Sequence, residues 1–564
     1  PHEMFALQRS YPDRSFDWQG WQKAMRRARE LRQVQQRDNA CSGTVADWTL
    51  QGPANIAGRV NSLIVKANEQ QTMLAGFSAG GIFKTTDGGA NWKPVFDEFS
   101  ELSIGHLTFD PSNPNVVYAG TGDSNIPSYV FNGEGVFKSA DAGETWQAIG
   151  LTQVGIVSKI VVHPTQPQTL FVAAMGNPYV RNNDRGVYKT TDGGNTWQQV
   201  LFVSNQAGAS DLVIDPANPQ VLYASFWDRI RNNSESIVYG PHARVYKTTD
   251  GGATWNMLGG GLPNTNLGRT GLAISRQNPQ KLYVLYVDSL SRVGAIYQTL
   301  DGGATWNPFS ISGLQSAYAN FGWYFGKLIL HPDNDNEIYL PGVQLWRKTA
   351  ASNNWVNVGG GHSDIHDLAI LGSGKRYTAN DGGVYYQNVG STGWTRCLNL
   401  PLTQFYHTNY NKHHPDMYIG GAQDNGTSMG NAQAIKKLID QGADVNAKAP
   451  SGATALLYAA GDFEKAKLLI DAGADVNAAS LAGRTPLHVA ASVSGGAPIV
   501  KLLLAKGADP KAVTKKHETA LHDAATAASE EVARLLLDAG AAPNVADHRG
   551  YTPLMFAAAS DRIQ

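Results

Sequence analysis

His362, Asp364 and His366 alternate along the chain, and no other pattern in this sequence is as open to chemistry. Residues two apart on a strand share one face, so a strand here would point all three side chains the same way. Two imidazoles and a carboxylate so placed could bind a divalent metal. The plainer reading is a hydrogen-bonded polar plug, because one strand rarely gives three ligands to one ion. Asp123, Asn177, Asp228, Asp288, Asp381 and Asp424 recur near these residues in the pattern, each where the second strand of a repeat should end. Together they would form a broken acidic ring. Glycosidic hydrolysis needs two carboxylates at a defined separation. Asp364, Asp381 and Asp424 are the candidates, although no spacing pairs them. Residues 318–325 bring Phe321, Trp323, Tyr324 and Phe325 to one loop, and Trp227 with Tyr239 lies on another. Such aromatics either stack on sugar rings or form the loop's own core.

The elements that position these residues are repeats. An octet of the form Thr-Thr-Asp-Gly-Gly-Ala-Asn-Trp fills residues 85–92. It returns at 139–146, 190–197, 248–255 and 299–306, with Trp-to-Trp spacings of 54, 51, 58 and 51 residues. Degenerate copies end at Trp355 and Trp394. A period near fifty with short apolar runs between turns predicts propeller blades of four strands. In the second period the strands read 104–109, 116–120, 135–139 and 145–149. The turn opened by Asp110-Pro111 recurs at His163-Pro164, Asp215-Pro216 and His331-Pro332, and proline suits a turn better than a central strand. Asp87, Asp141, Asp192, Asp250 and Asp301 resemble a catalytic series. A residue needed once per blade serves the blade, however, and these are assigned to the turn. The other connections are long and irregular: 122–134, 175–185, 226–244 and 309–325. They put the functional surface on one face of the ring.

These octets are similar to the Asp-box, or BNR, repeat shared by sialidases, xyloglucanase-type glycoside hydrolases and sortilin-type domains. Residues 185–192, Asp215-Pro216, Leu222-Tyr-Ala224, the 362–366 segment, Asn380-Asp-Gly-Gly383 and residues 420–426 resemble bacterial secreted sortilin-like propellers. The resemblance spans about residues 45–427. It implies an extracytoplasmic or secreted propeller, although no signal peptide precedes Pro1. A sialidase would carry an Arg-Ile-Pro segment, which is absent. Xyloglucanase-type enzymes place an aspartate beside the first blade's Gly-Gly, where this chain has Ser78, and draw a second from a second propeller.

From Asn431 the texture turns to Ala/Leu-rich helices. Gly-Ala-Asp-Val-Asn at 442–446 recurs at 473, 507 and 540, interleaved with Thr-Pro-Leu-His-type starts at 454, 485, 519 and 552. This matches the ankyrin repeat, whose helix pairs are buried by stacking. Incomplete repeats flank residues 427–431, which reads as a fragment or a fusion, with two parts that unfold separately. The expected organisation is a helical extension at 1–44, an all-β propeller at 45–427 and an all-α ankyrin solenoid at 431–564. The propeller would have about seven complete blades and a truncated eighth.

The 564 residues carry 46 Lys+Arg against 47 Asp+Glu, a net charge of -1, which gives no electrostatic case for nucleic acid. The basic residues of 21–37 read as the solvated face of a docked helix. No apolar run is long enough to span a membrane. With two cysteines, the one conceivable disulfide would join Cys41 to Cys397 across the ring closure. These observations lead to a non-catalytic binding protein as the expectation. A glycan or protein would sit on the long-loop face, at His362, Asp364, His366, Asp381, Asp424, Asp123, Asp228, Trp227 and Trp323. A protein partner would sit on the ankyrin turns, near Lys448, Arg484, Lys515 and Arg549. No cofactor is expected beyond a possible divalent metal at His362, Asp364 and His366. The alternative is a xyloglucanase-like glycoside hydrolase using carboxylates of the same face.

Overall fold

The computed structural model describes residues 57–429 and 443–559, short breaks apart, together with Gly20, Lys23, Arg27 and Ile439. The helix expected at 21–37, the rest of the 1–44 extension, Cys41 and Asp424 lie outside the described residues. Seven four-stranded antiparallel sheets follow one another along the chain, each a consecutive meander. The first has Val60–Val65, Met73–Phe77, Ile82–Thr85 and Lys93–Pro94, and the seventh Ile365–Ile370, Arg376–Asn380, Gly383–Gln387 and Thr395–Arg396. The second, with Ile104–Asp110, Asn113–Thr121, Val136–Ser139 and Gln147–Ala148, matches the predicted strands within a few residues.

The turns behave as the residue types require. Thr85 Oγ1 donates to Asp87 Oδ1 at 2.7 Å, and that oxygen accepts the backbone N–H groups of Ala90 and Asn91 at 3.0 and 2.9 Å. Thr190–Asp192, Thr248–Asp250 and Thr299–Asp301 repeat the arrangement, and Ser139–Asp141 does so with serine. Gly88 and Gly89 supply φ of +73° and +94°. In blades three and seven the Trp reaches the previous blade: Trp197 Nε1 donates to Ile149 O at 2.8 Å, and Trp394 Nε1 to Val358 O at 2.8 Å. In the Asp-Pro turns, Asp110 and Asp215 accept from the N–H groups two and three residues on. His163 Nδ1 fills the same role.

These carboxylates also set an acid limit. Hydrogen bonds from Asn91 and Thr85 hold Asp87 at about 2, and those from Thr196 and Thr190 hold Asp192 at about 2. A folded value below the unfolded one gives stability that is present above the unfolded carboxylate range, near 3.9. That stability is lost as pH falls through the folded value. The unfolding temperature is expected to drop between about pH 4 and 2, most steeply near pH 3. A flat melting temperature across that window would refute the assignment.

The ring closes directly between blades seven and one. Leu63, Met73, Phe77 and Trp92 pack in one core with Tyr377, Ala379, Val384 and Cys397. Asp367 Oδ2 accepts the Leu63 N–H at 2.9 Å. A further three-stranded sheet, Phe405–Asn411, His414–Ala422 and Gly426–Met429, follows blade seven in the chain, one strand more than the truncated eighth repeat was expected to hold. Cys397 is buried with a free thiol.

The helical segment has a core of its own. Short helices Ala455–Ala459, Pro486–Ser492, Ala520–Thr526 and Pro553–Ala559 alternate with Phe463–Asp471, Ala497–Ala505 and Glu530–Asp538. Leu456, Leu469, Leu487, Val500, Leu503, Leu521, Val532 and Leu536 are buried together. The motif residues link successive repeats. Thr485 pairs with His488 Nδ1 at 2.8 Å, and the other nitrogen of that ring donates to Glu518 O at 3.1 Å. Asn446 and Asn477 bridge to Gly473 and Gly507 in the same way. No helix among the described residues is long and apolar enough to cross a membrane.

Candidate functional site

The innermost strand of five blades carries one extra residue opposite its neighbour: Asn61, Gly105, Ser158, Ser210 and His366. Such a bulge breaks the period of two and re-aims a side chain. Here it serves the next blade. Asn61 donates to Ile104 O at 2.9 Å, Ser158 to Ala209 O at 2.6 Å and Ser210 to Thr270 O at 2.8 Å.

His366 is the bulge of blade seven, and it belongs to a buried network at the long-loop end of the channel. Its Nε2–H donates to Asp381 Oδ1 at 2.6 Å, and its Nδ1 accepts from Asn125 at 3.3 Å. Burial, then the charge of Arg59, holds the imidazole down at about 3, so it is neutral. Phe325 stacks on the ring and Tyr324 meets it edge-on. Arg59 stands between two carboxylates, 3.3 Å from Asp123 and 3.6 Å from Asp381. Asp123 also accepts from Ser78 at 2.7 Å, Asn61 at 3.1 Å and the Asn125 N–H at 3.0 Å. The side chains of Arg59, Asp123 and Asp381 are at most 2% exposed.

Asp123, His366 and Asp381 are thus brought together, and the other expected site residues separate from them in distinct ways. The strand of blade seven starts only at Ile365, so His362 and Asp364 lie in the bend before it and do not alternate with His366 on one face. Asp364 takes a φ of +61°, uncommon for a residue with a side chain. His362 lies against Gly382 and donates to Ser363 O. Among the described residues no cluster of His, Cys, Asp and Glu is disposed to hold a metal, which corrects the metal assignment for His362, Asp364 and His366. Asp228 is buried against His242, at 2.7 Å. Asp288 pairs with Arg292 on an outer turn, and Asn177 caps its own loop.

The aromatics are loop core. Trp227 is fully buried and cannot meet a sugar. Arg269 and Arg229 lie over its ring, each at 5.4 Å, and Arg229 also lies over Trp323 at 5.4 Å. Trp323 keeps partial exposure and Phe321 is exposed. The sequence reading passed over the buried arginines. Arg185 donates to five backbone carbonyls, among them Met175 O at 2.7 Å and Asn177 O at 2.8 Å. Arg229 reaches Ile126 O at 2.8 Å, and Arg269 reaches Tyr324 O at 3.1 Å. Each binds the otherwise unsatisfied carbonyls of the irregular loops. Their only sequence signal is position, an arginine beside the first strand of its blade or in the loop after the second.

Comparison with known proteins adds to this geometry. Residues 80–208 and 134–262 match the family model described as "Sortilin, neurotensin receptor 3", and 426–514 and 487–564 match that of ankyrin repeats. The chain joins a seven-bladed BNR-type propeller to ankyrin repeats. A xyloglucanase of Paenibacillus sp is 22% identical over 423 residues, covering 56% of this chain and 40% of its own. An oligoxyloglucan-reducing end-specific xyloglucanase of Emericella nidulans is 24% identical over 332 residues, covering 52% and 38%. The chain therefore spans well under half the length of these relatives. The crystal structure of an ancestral GH74 enzyme shares the fold, with a TM-score of 0.51 and 16% identity over 68% of this chain and 55% of that one. The expectation of a non-catalytic binding protein does not stand against these matches. The relatives matched are enzymes, and they favour the glycoside hydrolase alternative.

Proposed function

We propose that the propeller is a glycoside hydrolase of xyloglucanase type that works outside the cytoplasm. A β-glucan chain would lie across the long-loop face, with Asp364 as the carboxylate that reaches it and the buried Asp381, His366 and Arg59 network beneath. One observation carries this reading: the relatives matched over the propeller are xyloglucanases, and Asp364 and Asp381 both lie near the buried groups of the channel mouth. Both act on Tyr324, whose hydroxyl is pushed well above its usual range by burial first, with Arg59 opposing and Asp381, Asp123 and Asp364 adding. Asp364 also acts on His366. Asp381 is fixed by His366 and faces the Arg59 guanidinium, which suits a positioning role beneath the face. Asp364 keeps access to solvent at a φ of +61°, so its carboxylate can reach a glycan on this face. The xyloglucanase relatives supply the substrate class.

The test is release of reducing ends from xyloglucan by the full chain and by Asp364→Asn. The wild type is expected to hydrolyse the polymer, and the variant to lose about 100-fold or more while keeping its melting temperature. No release by the wild type would overturn the hydrolase reading. Undiminished release by the variant would remove Asp364 from the role.

For the ankyrin segment we propose a protein partner on the turn tips, with Lys448 and Lys515 the available cations there. Arg484 and Arg549 are already paired, with Asp523 at 3.1 Å and Asp547 at 2.8 Å. We propose a boundary at residues 427–431, each side having its own core, and calorimetry is expected to show two unfolding transitions. One shared transition would count against that boundary.

A further inference from the structure

Below the His366 network the channel encloses a polar cavity of about 70 Å³ that the proposed hydrolysis does not use. Its wall includes Lys159, Arg269 and Lys327 from blades three, five and six, against Asp211 and Asp367. The carboxylates are largely committed. Asp211 accepts the Leu212 and Leu272 N–H groups at 2.9 and 3.0 Å, and Asp367 accepts those of Leu368 and Leu63 at 3.0 and 2.9 Å. His106 adds no charge, since burial and then Lys159 and Lys327 hold it well below its usual range. Its Nδ1 accepts the Ile160 N–H, so the ring's other nitrogen carries the proton. Three cations therefore face two anions whose oxygens already serve the backbone.

Arg269 already gives Nη1 to Asn125 Oδ1, Trp323 O and Tyr324 O, while the two lysines keep donors in reserve. Among the described residues the Lys159 ammonium has a 3.8 Å ion pair with Asp211. Lys327 donates to His366 O at 2.8 Å and Asn61 O at 3.3 Å, two of the three protons an ammonium offers. Burial above all lowers the affinity of Lys327 for its proton, with Asp367 opposing. The Lys159 and Asp211 side chains remain 35% and 13% exposed, so the cavity communicates with solvent. Its volume exceeds what a single water needs, which leaves room for a small oxyanion.

We propose that this cavity binds one small oxyanion, of phosphate or sulfate chemistry, between Lys159, Lys327 and Arg269. The ion would join three blades from inside the ring, as a charged group buried among cations stabilises only the closed form.

The experiment uses the full chain with inorganic sulfate and inorganic phosphate as probes, against chloride at equal ionic strength. Titration calorimetry gives affinity, and thermal unfolding gives the shift of the propeller transition. Either oxyanion is expected to bind with one-site stoichiometry and raise the transition. Lys159→Met is expected to weaken binding about tenfold or more, the loss of one charge-assisted contact. Lys327→Met should abolish it. Should that variant not fold, Lys159→Met decides alone, since its side chain is partly exposed and reaches Asp211 only at 3.8 Å among the described residues. Sulfate also stabilises proteins by exclusion from their surface, without a site. Equal shifts in wild type and variants, or no binding heat at about ten millimolar, would overturn the proposal.

Discussion

Replacing Arg59 by methionine is expected to destabilise the propeller by about 3–5 kcal/mol, more than any other single side-chain truncation in the channel. The cost comes from what remains. Asp123 and Asp381 are buried, and Arg59 is the cation within 4 Å of both. His366 offers Asp381 a hydrogen bond but no charge, because burial keeps the ring neutral. Removing the guanidinium leaves two carboxylates in a setting that disfavours their ionised form, and one or both must take up a proton or admit water. Asp123→Asn should cost less, since the amide keeps an acceptor for Ser78 and no charge is stranded. Chemical denaturation of both variants is the check. An Arg59→Met loss below about 1 kcal/mol would mean that the carboxylates are already solvated or neutral.

The same contrast shows how far the sequence could be read. The octets were legible because each performs a complete local task. Asp87, Gly88 and Gly89 make a turn whose donors and acceptors lie within the eight residues, so their types reveal the geometry. The Asp-Pro turns and the ankyrin Thr-x-x-His starts were legible for the same reason. The channel mouth was legible only as a set of polar residues. Asp123, His366 and Asp381 were singled out because acids and imidazoles repeat at strand ends, and they do meet. Their meeting point, Arg59, is 64 residues from Asp123 and 322 from Asp381, and no local pattern announces such a contact. The alternation of His362, Asp364 and His366 misled because His366 is a bulge residue. A bulge is decided by pairing with another strand and by the blade beyond it. Trp227 misled in a similar way. An aromatic that binds a sugar and one that carries two buried guanidiniums have the same sequence signature, and only Arg229 and Arg269 distinguish them.

The bulges give the second large effect. Gly105→Val is expected to cost about 3 kcal/mol or more, the upper range for overpacking, although its backbone needs no positive φ. Gly105 is the extra residue of blade two. A Cβ there would lie 2.3 Å from Val157 O and 2.4 Å from Gly122 O, and both obstacles are backbone. A side chain could turn away, but a carbonyl on the innermost strand of blade three could not move without disturbing its own ladder. Blades two and three would have to part where His106 Nδ1 receives the Ile160 N–H. Gly259→Ala is the control, since nothing lies within 4 Å of its Cβ position. It should be neutral, or stabilising by up to ~1 kcal/mol through the unfolded chain. Thermal or urea unfolding of the two variants decides the matter. Equal small effects would show that blades two and three can separate by an ångström at little cost, and that the glycine answers no need of the channel.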